Sequence, residues 1–353
     1  MSDHDYLFIP GPVEVRAELR EIMSMPLIGH RSKPFVAEVQ AVCEKLKPLF
    51  LTEAHALFEN CPATALMEAG VRNLVKNRVL HLACGAFSER WAKITTACGR
   101  EADVMQVDWG QPNLAADLKA KLTSSGPYDA VAITHSETST GLLNHAKELA
   151  ATVHEVAPDT LVMLDAVTSL AGAELRFDEW GIDLAFAGTQ KCLALPPGLC
   201  VYAVSERAMA IAEGMEGKGF LLDFNKAQKG LAGGKTPATP CVPLVFALSR
   251  QLDDIAAEGL ENRWKRHLTM QEMVREWAEN HGFVHFVEAE YRSPTVSTMR
   301  NSGRDVSGLI ERAKAAGFTL GNGYGKLKGE TFRIGHMGDH QPDTLAALLR
   351  AIP

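Results

Sequence analysis

The sequence lacks the features of several protein classes. No apolar run approaches the roughly 20 residues that a membrane-spanning helix needs. The seven cysteines are an odd number and form no Cys-x-x-Cys pair, so neither a disulfide framework nor a common zinc motif is expected. There is no basic stripe, and the formal net charge is −7, so binding to nucleic acid through its phosphates is not expected either. No HExxH motif or EF-hand loop is present, and we predict no metal site.

The composition is that of a globular protein. The chain has 353 residues, of which 46% are apolar and 22% charged, and this length predicts about two domains. Most cysteines lie in apolar segments, as small core residues do in a reducing compartment. Residues 1–6 are polar and acidic, unlike a signal peptide. We therefore expect a cytoplasmic protein without membrane or nucleic-acid partners.

Short apolar runs alternate with helical patterns between residues 55 and 205. Because these runs are apolar on both faces, they predict a buried, mostly parallel sheet built from βαβ units. The predicted strands are 79–83, 130–134, 161–164, 184–187 and 199–204. A helix is predicted over 33–49.

The remainder of the chain predicts a smaller α/β unit. A helical stretch runs from residue 243 to 282 and is interrupted at Gly259. After it, strands are predicted at 283–287, 295–299 and 331–334, with helices at 306–316 and at the C-terminus. The predicted organisation is an N-terminal arm (1–17), a large cofactor-binding α/β domain with a mostly parallel sheet flanked by helices (18–255), and a smaller C-terminal α/β domain (256–353). The arm is expected to pack near the small domain or a partner subunit.

Polar residues follow four of the predicted strands. Ligands of open α/β sheets bind outside the carboxyl ends of the strands. The polar segments are 85–90, 135–141, Asp165 and 188–191. One such strand end would be ordinary, but four in one sheet indicate a single site.

Lys191 and Asp165 are the sharpest candidates. Lys191 lies between an apolar strand and the apolar, proline-rich segment 192–198, where desolvation would lower its pKa. Such a lysine can form a Schiff base with a carbonyl cofactor such as pyridoxal phosphate, although it could also lie on a solvated turn. Asp165 ends an apolar run and would need a partner, either a protonated pyridine nitrogen or a structural hydrogen bond, for example at a helix N-cap.

Three other features are weaker. Ala63 and Thr64 follow Pro62 at a predicted helix start, where free amides can hold a phosphate or merely be capped. Phe87 could stack on a ring or belong to the core. His135 could orient a cofactor oxygen or be an ordinary loop histidine.

Several segments occur in the order typical of one known family. They are Ile-Pro-Gly-Pro (9–12), Gly-His-Arg-Ser (29–32), Ala-Thr-Ala-Leu-Met-Glu-Ala (63–69), Gly-Ala-Phe-Ser-Glu-Arg (85–90), Glu-Thr-Ser-Thr-Gly (137–141), Asp165, Gln190-Lys191, Thr-Pro-Ala-Thr-Pro (236–240) and Phe-Arg-Ile-Gly-His-Met-Gly (332–338). With them the chain resembles the class V group of fold-type I pyridoxal-phosphate aminotransferases, which includes alanine–glyoxylate, serine–glyoxylate and phosphoserine aminotransferases. The resemblance extends over essentially the whole chain.

The resemblance implies a role for individual residues. Lys191 would hold pyridoxal 5′-phosphate as a Schiff base and then move the substrate proton, and Asp165 would pair with the ring nitrogen. The other implied cofactor contacts are Phe87 and Thr138 at the ring, Ala63, Thr64 and Gln190 at the phosphate, and Thr236 and Thr239 at the phosphate of the other subunit. The implied substrate contacts are Arg333 for the α-carboxylate, with Gly11, His30 and Arg31. A homodimer with a shared site follows. Pro62 departs from the family pattern because it has no N–H to donate.

The expected activity is transfer of an amino group between alanine or serine and glyoxylate or pyruvate, by a ping-pong Schiff-base mechanism. One alternative is a phosphoserine aminotransferase using glutamate and 2-oxoglutarate, since His30 and Arg31 could face a substrate phosphate. A second is a lyase or desulfurase of the same fold. Desulfurases that resemble this family use a mobile cysteine in the C-terminal third, and the absence of any cysteine after Cys241 argues against that chemistry. A third is a binding protein without catalysis, although each catalytic position holds a competent residue.

Overall fold

The computed structural model describes residues 4–352. In that range the strands are β1 (Tyr6–Phe8), β2 (His55–Glu59), β3 (Arg78–Ala83), β4 (Glu101–Gln106), β5 (Ala130–Thr134), β6 (Ser136–Glu137), β7 (Leu142–Leu143), β8 (Leu161–Asp165), β9 (Leu184–Gly188), β10 (Cys200–Val204), β11 (Val284–His285), β12 (Val296–Arg300), β13 (Phe318–Asn322) and β14 (Thr331–Gly335).

The α-helices of the same residues are α1 (Ala17–Met23), α2 (Lys33–Phe50), α3 (Ala63–Leu74), α4 (Ala86–Ala97), α5 (Ala115–Ser125), α6 (Ala146–Val156), α7 (Glu206–Glu213), α8 (Phe224–Ala232), α9 (Val242–Glu258), α10 (Leu260–Asn280), α11 (Val306–Ala315) and α12 (Pro342–Ala351). Short 3₁₀ turns occupy Ala289–Tyr291 and Gly325–Leu327. None of these helices is both long and apolar enough to cross a membrane.

Seven strands form the larger sheet, in the order β2-β10-β9-β8-β5-β3-β4. All are parallel except β10, which runs antiparallel to both of its neighbours. Strands β5, β8, β9 and β10 are buried at every residue, because helices cover both faces of a sheet of this kind. The predicted parallel sheet is confirmed, and each of its five predicted strands is found within one residue at each end.

Two strands of the large sheet were not predicted. Strand β4 lies at one edge, where Glu101, Val104 and Gln106 are exposed, so it lacks an apolar run on both faces. Strand β2 lies at the other edge and is only five residues long. Strand β4 has no buried residue, and strand β2, although buried at four of its five residues, has only three consecutive apolar residues (56–58), so a search for continuous apolar runs misses both strands.

The smaller sheet has the order β1-β13-β14-β12-β11. Its edge strand β1 comes from the N-terminal arm and pairs in parallel with β13, so the arm packs on the C-terminal unit as expected. Strand β13 was not predicted, and the predicted strand at 283–287 is reduced to Val284–His285. Helices α9 and α10 join the two sheets and break at Gly259, whose φ of +81° suits glycine.

Each sheet has its own hydrophobic core. The larger core surrounds the seven-stranded sheet and still contains Ile255. The smaller core is built around Phe8, Trp277 and Phe332 and begins on α10 at Met270. Domain limits at residues 17/18 and 255/256 stay a prediction.

Candidate active site

The carboxyl ends of β5, β8 and β9 meet the first turns of α3 and α4 at a cavity of about 120 Å³. The cavity is lined by Pro62, Ala63, Thr64, Met67, Phe87, Arg90, Ser136, Thr138, Asp165, Val167, Thr168, Gln190 and Lys191. These include every predicted cofactor contact except Thr236 and Thr239. These residues lie together because parallel strands bring their carboxyl ends to one edge of the sheet, the same reason for which a single site was predicted.

Lys191 is buried directly after β9, with only 8% of its surface exposed. Its Nζ donates a hydrogen bond to the backbone oxygen of Pro10. Burial, together with the nearby Arg333, lowers the pKa of the ammonium group to about 8. About a tenth of the amine is therefore neutral and nucleophilic at pH 7, far more than on a solvated turn, where the pKa would stay near its ordinary value of about 10.4.

Gly11 lies against the side chain of Lys191. A Cβ atom at this position would come within 2.8 Å of the Cδ and Cε atoms of the lysine, and the φ of +117° favours glycine. Gly11, predicted as a substrate contact, therefore shapes the space around the lysine side chain.

Asp165 is the last residue of β8 and is buried. Its Oδ1 accepts one hydrogen bond, from the amide of Val167 at 2.9 Å, and no helix begins here that it could cap. Burial raises the pKa of this carboxyl to about 7. A carboxylate that is costly to ionise and faces a cavity fits a cationic N–H donor, such as a protonated pyridine nitrogen.

Glu137 fixes the first turn of α4, a role that the sequence did not indicate. Its Oε2 accepts hydrogen bonds from the amides of Phe87 and Ser88, at 3.1 and 3.0 Å, and its Oε1 accepts from the amide and hydroxyl of Ser139. The carboxylate is fully buried and caps the helix that carries Phe87. A side chain reaching 49 positions along the chain leaves no local signal in the sequence.

Helix α3 presents its first turn to the opposite end of the cavity. Pro62 is the N-cap and accepts a backbone bond from Ala65, but no side chain caps the helix. The amides of Ala63 and Thr64 are therefore available to an anion, and the Thr64 hydroxyl lies beside them. The departure at Pro62 leaves these two donors in place. Together with Lys191 and Asp165, this donor set fits a phosphorylated pyridine aldehyde.

Arg333 reaches the site from β14 of the smaller sheet. Its Nη1 donates to the backbone oxygen of Thr138 at 3.1 Å and its Nε to that of Asn322 at 2.9 Å. Burial lowers the pKa of the guanidinium to about 10, and no carboxylate within residues 4–352 forms an ion pair with it. A buried, unpaired guanidinium held by two carbonyl groups is suited to binding a substrate carboxylate.

Four predicted site residues lie elsewhere in the chain. His30, Arg31 and Thr236 line a separate cavity of about 340 Å³, and Thr239 is exposed. None of them lines the cavity of Lys191 in the same chain. Their assignment to the site depends on a second subunit and stays a prediction.

A larger cavity, about 700 Å³, lies away from Lys191 between α6 and α10. It contains His135, whose pKa burial lowers to about 4, with Trp180 against its ring. His135 does not line the smaller cavity, so the idea that it contacts a cofactor gains no support. We assign the active site by its converging reactive groups and not by its volume. Within residues 4–352 no group of three or more His, Cys, Asp or Glu side chains could hold a metal ion.

Comparisons with known proteins show the family to which the chain belongs. The model of the family "Aminotransferase class-V" matches residues 63–315. An uncharacterized aminotransferase of Methanocaldococcus jannaschii is 37% identical, over 94% of this chain and 87% of its own. L-aspartate–glyoxylate aminotransferase of Paracoccus denitrificans is 30% identical, over 96% and 87%. The crystal structure of alanine–glyoxylate aminotransferase from Nostoc sp. superposes with a TM-score of 0.93 at 29% identity, over 100% of this chain and 95% of that chain. The predicted fold is thereby confirmed, and the chain belongs to the class V aminotransferases.

Proposed function

We propose that the protein is a pyridoxal-phosphate-dependent aminotransferase that moves an amino group between alanine or serine and glyoxylate or pyruvate. The observation that carries the proposal is a buried lysine and a buried carboxyl on one cavity, with the unpaired guanidinium of Arg333 bound to the backbone of Thr138 at the wall of that cavity. The names of two relatives, an aspartate–glyoxylate and an alanine–glyoxylate aminotransferase, support glyoxylate as the acceptor.

Each end of the cavity suits one part of the cofactor. Pyridoxal phosphate, when bound, supplies an aldehyde and a ring that accepts electrons. Asp165 would keep the ring nitrogen protonated. The pKa of its carboxyl is high while the group is buried alone, but a cation beside it would lower that pKa, so the carboxyl would be ionised and the proton would stay on the nitrogen. The free amides of α3 and the Thr64 hydroxyl would bind the phosphate, with Gln190 beside them. Phe87 would cover one face of the ring.

Lys191 and Arg333 would do the remaining work on the substrate. Arg333 would grip the α-carboxylate and so orient the amino acid with its Cα hydrogen toward Lys191. The Nζ of Lys191 would take this proton as a general base and then give it up again as a general acid. Its lowered pKa keeps the amine neutral often enough to accept a proton near neutral pH. The hydrogen bond to the Pro10 oxygen would hold the free lysine inside the cavity.

A homodimer in the cytoplasm is the assembly and location that we propose. Met25 and Leu27 are 63% and 71% exposed, beside a cavity lined by Phe246 and other apolar residues of α9, which supports burial against a second copy. In such a dimer the surface cavity of His30, Arg31 and Thr236 would face the partner's active site, as the family resemblance implies.

A panel of amino donors tests this function. Alanine, serine, phosphoserine, aspartate and cysteine are each combined with pyruvate, glyoxylate or 2-oxoglutarate, and the new amino acid is quantified. We expect turnover with alanine or serine and a small 2-oxo acid, and none in the Lys191→Ala variant. Turnover only with phosphoserine and 2-oxoglutarate would replace the proposed substrates, and sulfide release from cysteine would indicate a desulfurase.

A further inference from the structure

Arg90 is a second guanidinium at the active site. It lines the same cavity as Lys191, and it forms no ion pair with any carboxylate in the described part of the chain. Its Cζ lies 4.7 Å above the ring of Phe87, and its Nη2 donates to the hydroxyl of Tyr324 at 3.0 Å. Its interactions are thus with an aromatic face and a phenol, both neutral.

Tyr324 lies between Arg90 and Arg333, the arginine assigned to the α-carboxylate of the substrate. It lies on the turn between β13 and β14, and its ring stacks on Phe87 with centroids 5.3 Å apart. The Cζ of Arg333 lies 5.7 Å from the centroid of the same tyrosine ring. A single phenol therefore separates the two guanidinium groups, one of which would bind the α-carboxylate.

The turn that carries Tyr324 is fixed against the larger sheet. Gly325 packs on the ring of Trp109, and Lys326 lies over the same ring, with Nζ 4.3 Å from its centroid. Trp109 in turn donates to Glu89 on α4 at 2.6 Å. Tyr324 is 36% exposed, so it borders the solvent side of the site.

We propose that Tyr324 restricts the enzyme to substrates with one carboxylate by binding the Arg90 guanidinium, so that this group is not free to pair with a second carboxylate. This inference rests on the proposed function, because Arg333 is taken as the α-carboxylate site. A dicarboxylic acid bound at Arg333 would extend its second carboxylate along the tyrosine ring toward Arg90. In the wild type that guanidinium is held by the hydroxyl and by Phe87, and a second carboxylate must displace the phenol to form its pair. Tyr324 acts through Arg90 and is a positioning residue.

Binding of two unreactive acids tests this proposal. Propionate carries one carboxylate and succinate two, and their dissociation constants are measured by calorimetry on the enzyme reconstituted with pyridoxal phosphate. We expect the wild type to bind propionate at least as tightly as succinate. Tyr324→Phe keeps the ring but frees Arg90, so succinate should gain about tenfold relative to propionate, the value of the one hydrogen bond between the phenol and the charged guanidinium that succinate no longer has to break. The gain should vanish in Tyr324→Phe/Arg90→Met.

Tyr291→Phe is the matched control, because it removes a phenol hydroxyl beside His145, away from the cavity of Lys191. Its succinate-to-propionate ratio should equal that of the wild type. Tighter binding of succinate by the wild type, an unchanged ratio in Tyr324→Phe, or an equal gain in the double variant would each overturn the proposal. These ratios need no turnover. An enzyme that transaminates nothing in the donor panel would refute the proposed function while the ratios still decide the role of Tyr324.

Discussion

Asp165 should destabilise the protein when no cofactor neutralises it. Burial raises the pKa of this carboxyl from 3.8 to about 7, so the folded state holds the proton more tightly than the unfolded state does. The folded state therefore loses stability relative to the unfolded state as the pH rises from about 4 to about 7. Above that window the cost is constant.

The size of the effect follows from the same pKa values. Each pH unit between the unfolded and folded pKa costs about 1.4 kcal/mol, which gives roughly 1.5 kcal/mol at pH 5 and about 4 kcal/mol at pH 8. Asp165→Asn removes the charge, and its side-chain oxygen can still accept the bond from the Val167 amide. The cofactor-free variant should thus be more stable than the cofactor-free wild type, and by more at pH 8 than at pH 5.

Urea unfolding of both proteins without cofactor, at pH 5 and pH 8, measures this difference. In the presence of pyridoxal phosphate the order should reverse at pH 8, because the wild type alone gains the ion pair with the ring nitrogen. A stability difference that is the same at both pH values, or a variant less stable than the wild type at pH 8 without cofactor, would refute the reasoning.

Three further predictions concern the cavity. Gly11→Ala should displace the Lys191 side chain and lower the rate of covalent cofactor attachment by about tenfold or more, whereas Gly214→Ala at the end of α7, with 3.7 Å to its nearest neighbour, should have no effect. Attachment trapped by borohydride and measured by mass should rise with pH and be half-maximal near pH 8, where Lys191 loses its proton; a midpoint near 10 would contradict this burial. Thr64→Ala should weaken cofactor binding by about tenfold, as expected for one hydrogen bond to a charged phosphate, with unchanged attachment chemistry once loaded.

The parts of the fold that the sequence predicted are those with a local cause. Strand β5 is found at its predicted residues because all five side chains are buried and the first four are apolar. Helix α2 begins where predicted, at Lys33. Strand β4 was missed because polar residues interrupt its apolar ones on an exposed edge, and β13 because its ends are half-buried and exposed. In both, pairing with a neighbouring strand decides the conformation.

The same distinction applies to the active site. Lys191, Asp165 and Thr64 follow strands or open a helix, and strand order alone brings such positions together. Tyr324 and Arg90 are 234 positions apart and meet only when the two sheets pack, so no spacing in the sequence relates them. Thr236 and His30 lie outside the cavity of one chain, and the family resemblance alone assigns them to it.

The half-reaction with alanine shows whether the enzyme itself takes up the amino group. The enzyme loaded with pyridoxal phosphate is mixed with excess L-alanine and no 2-oxo acid, and pyruvate is quantified over time. We expect one pyruvate per subunit and then no more, because the amino group stays on the enzyme until an acceptor arrives. The Lys191→Ala variant should release no pyruvate on the time scale of the wild-type reaction. Continuous release of pyruvate would contradict the assignment as an aminotransferase. The assignment would also be contradicted if the wild type released neither pyruvate from alanine nor the corresponding 2-oxo acid from serine.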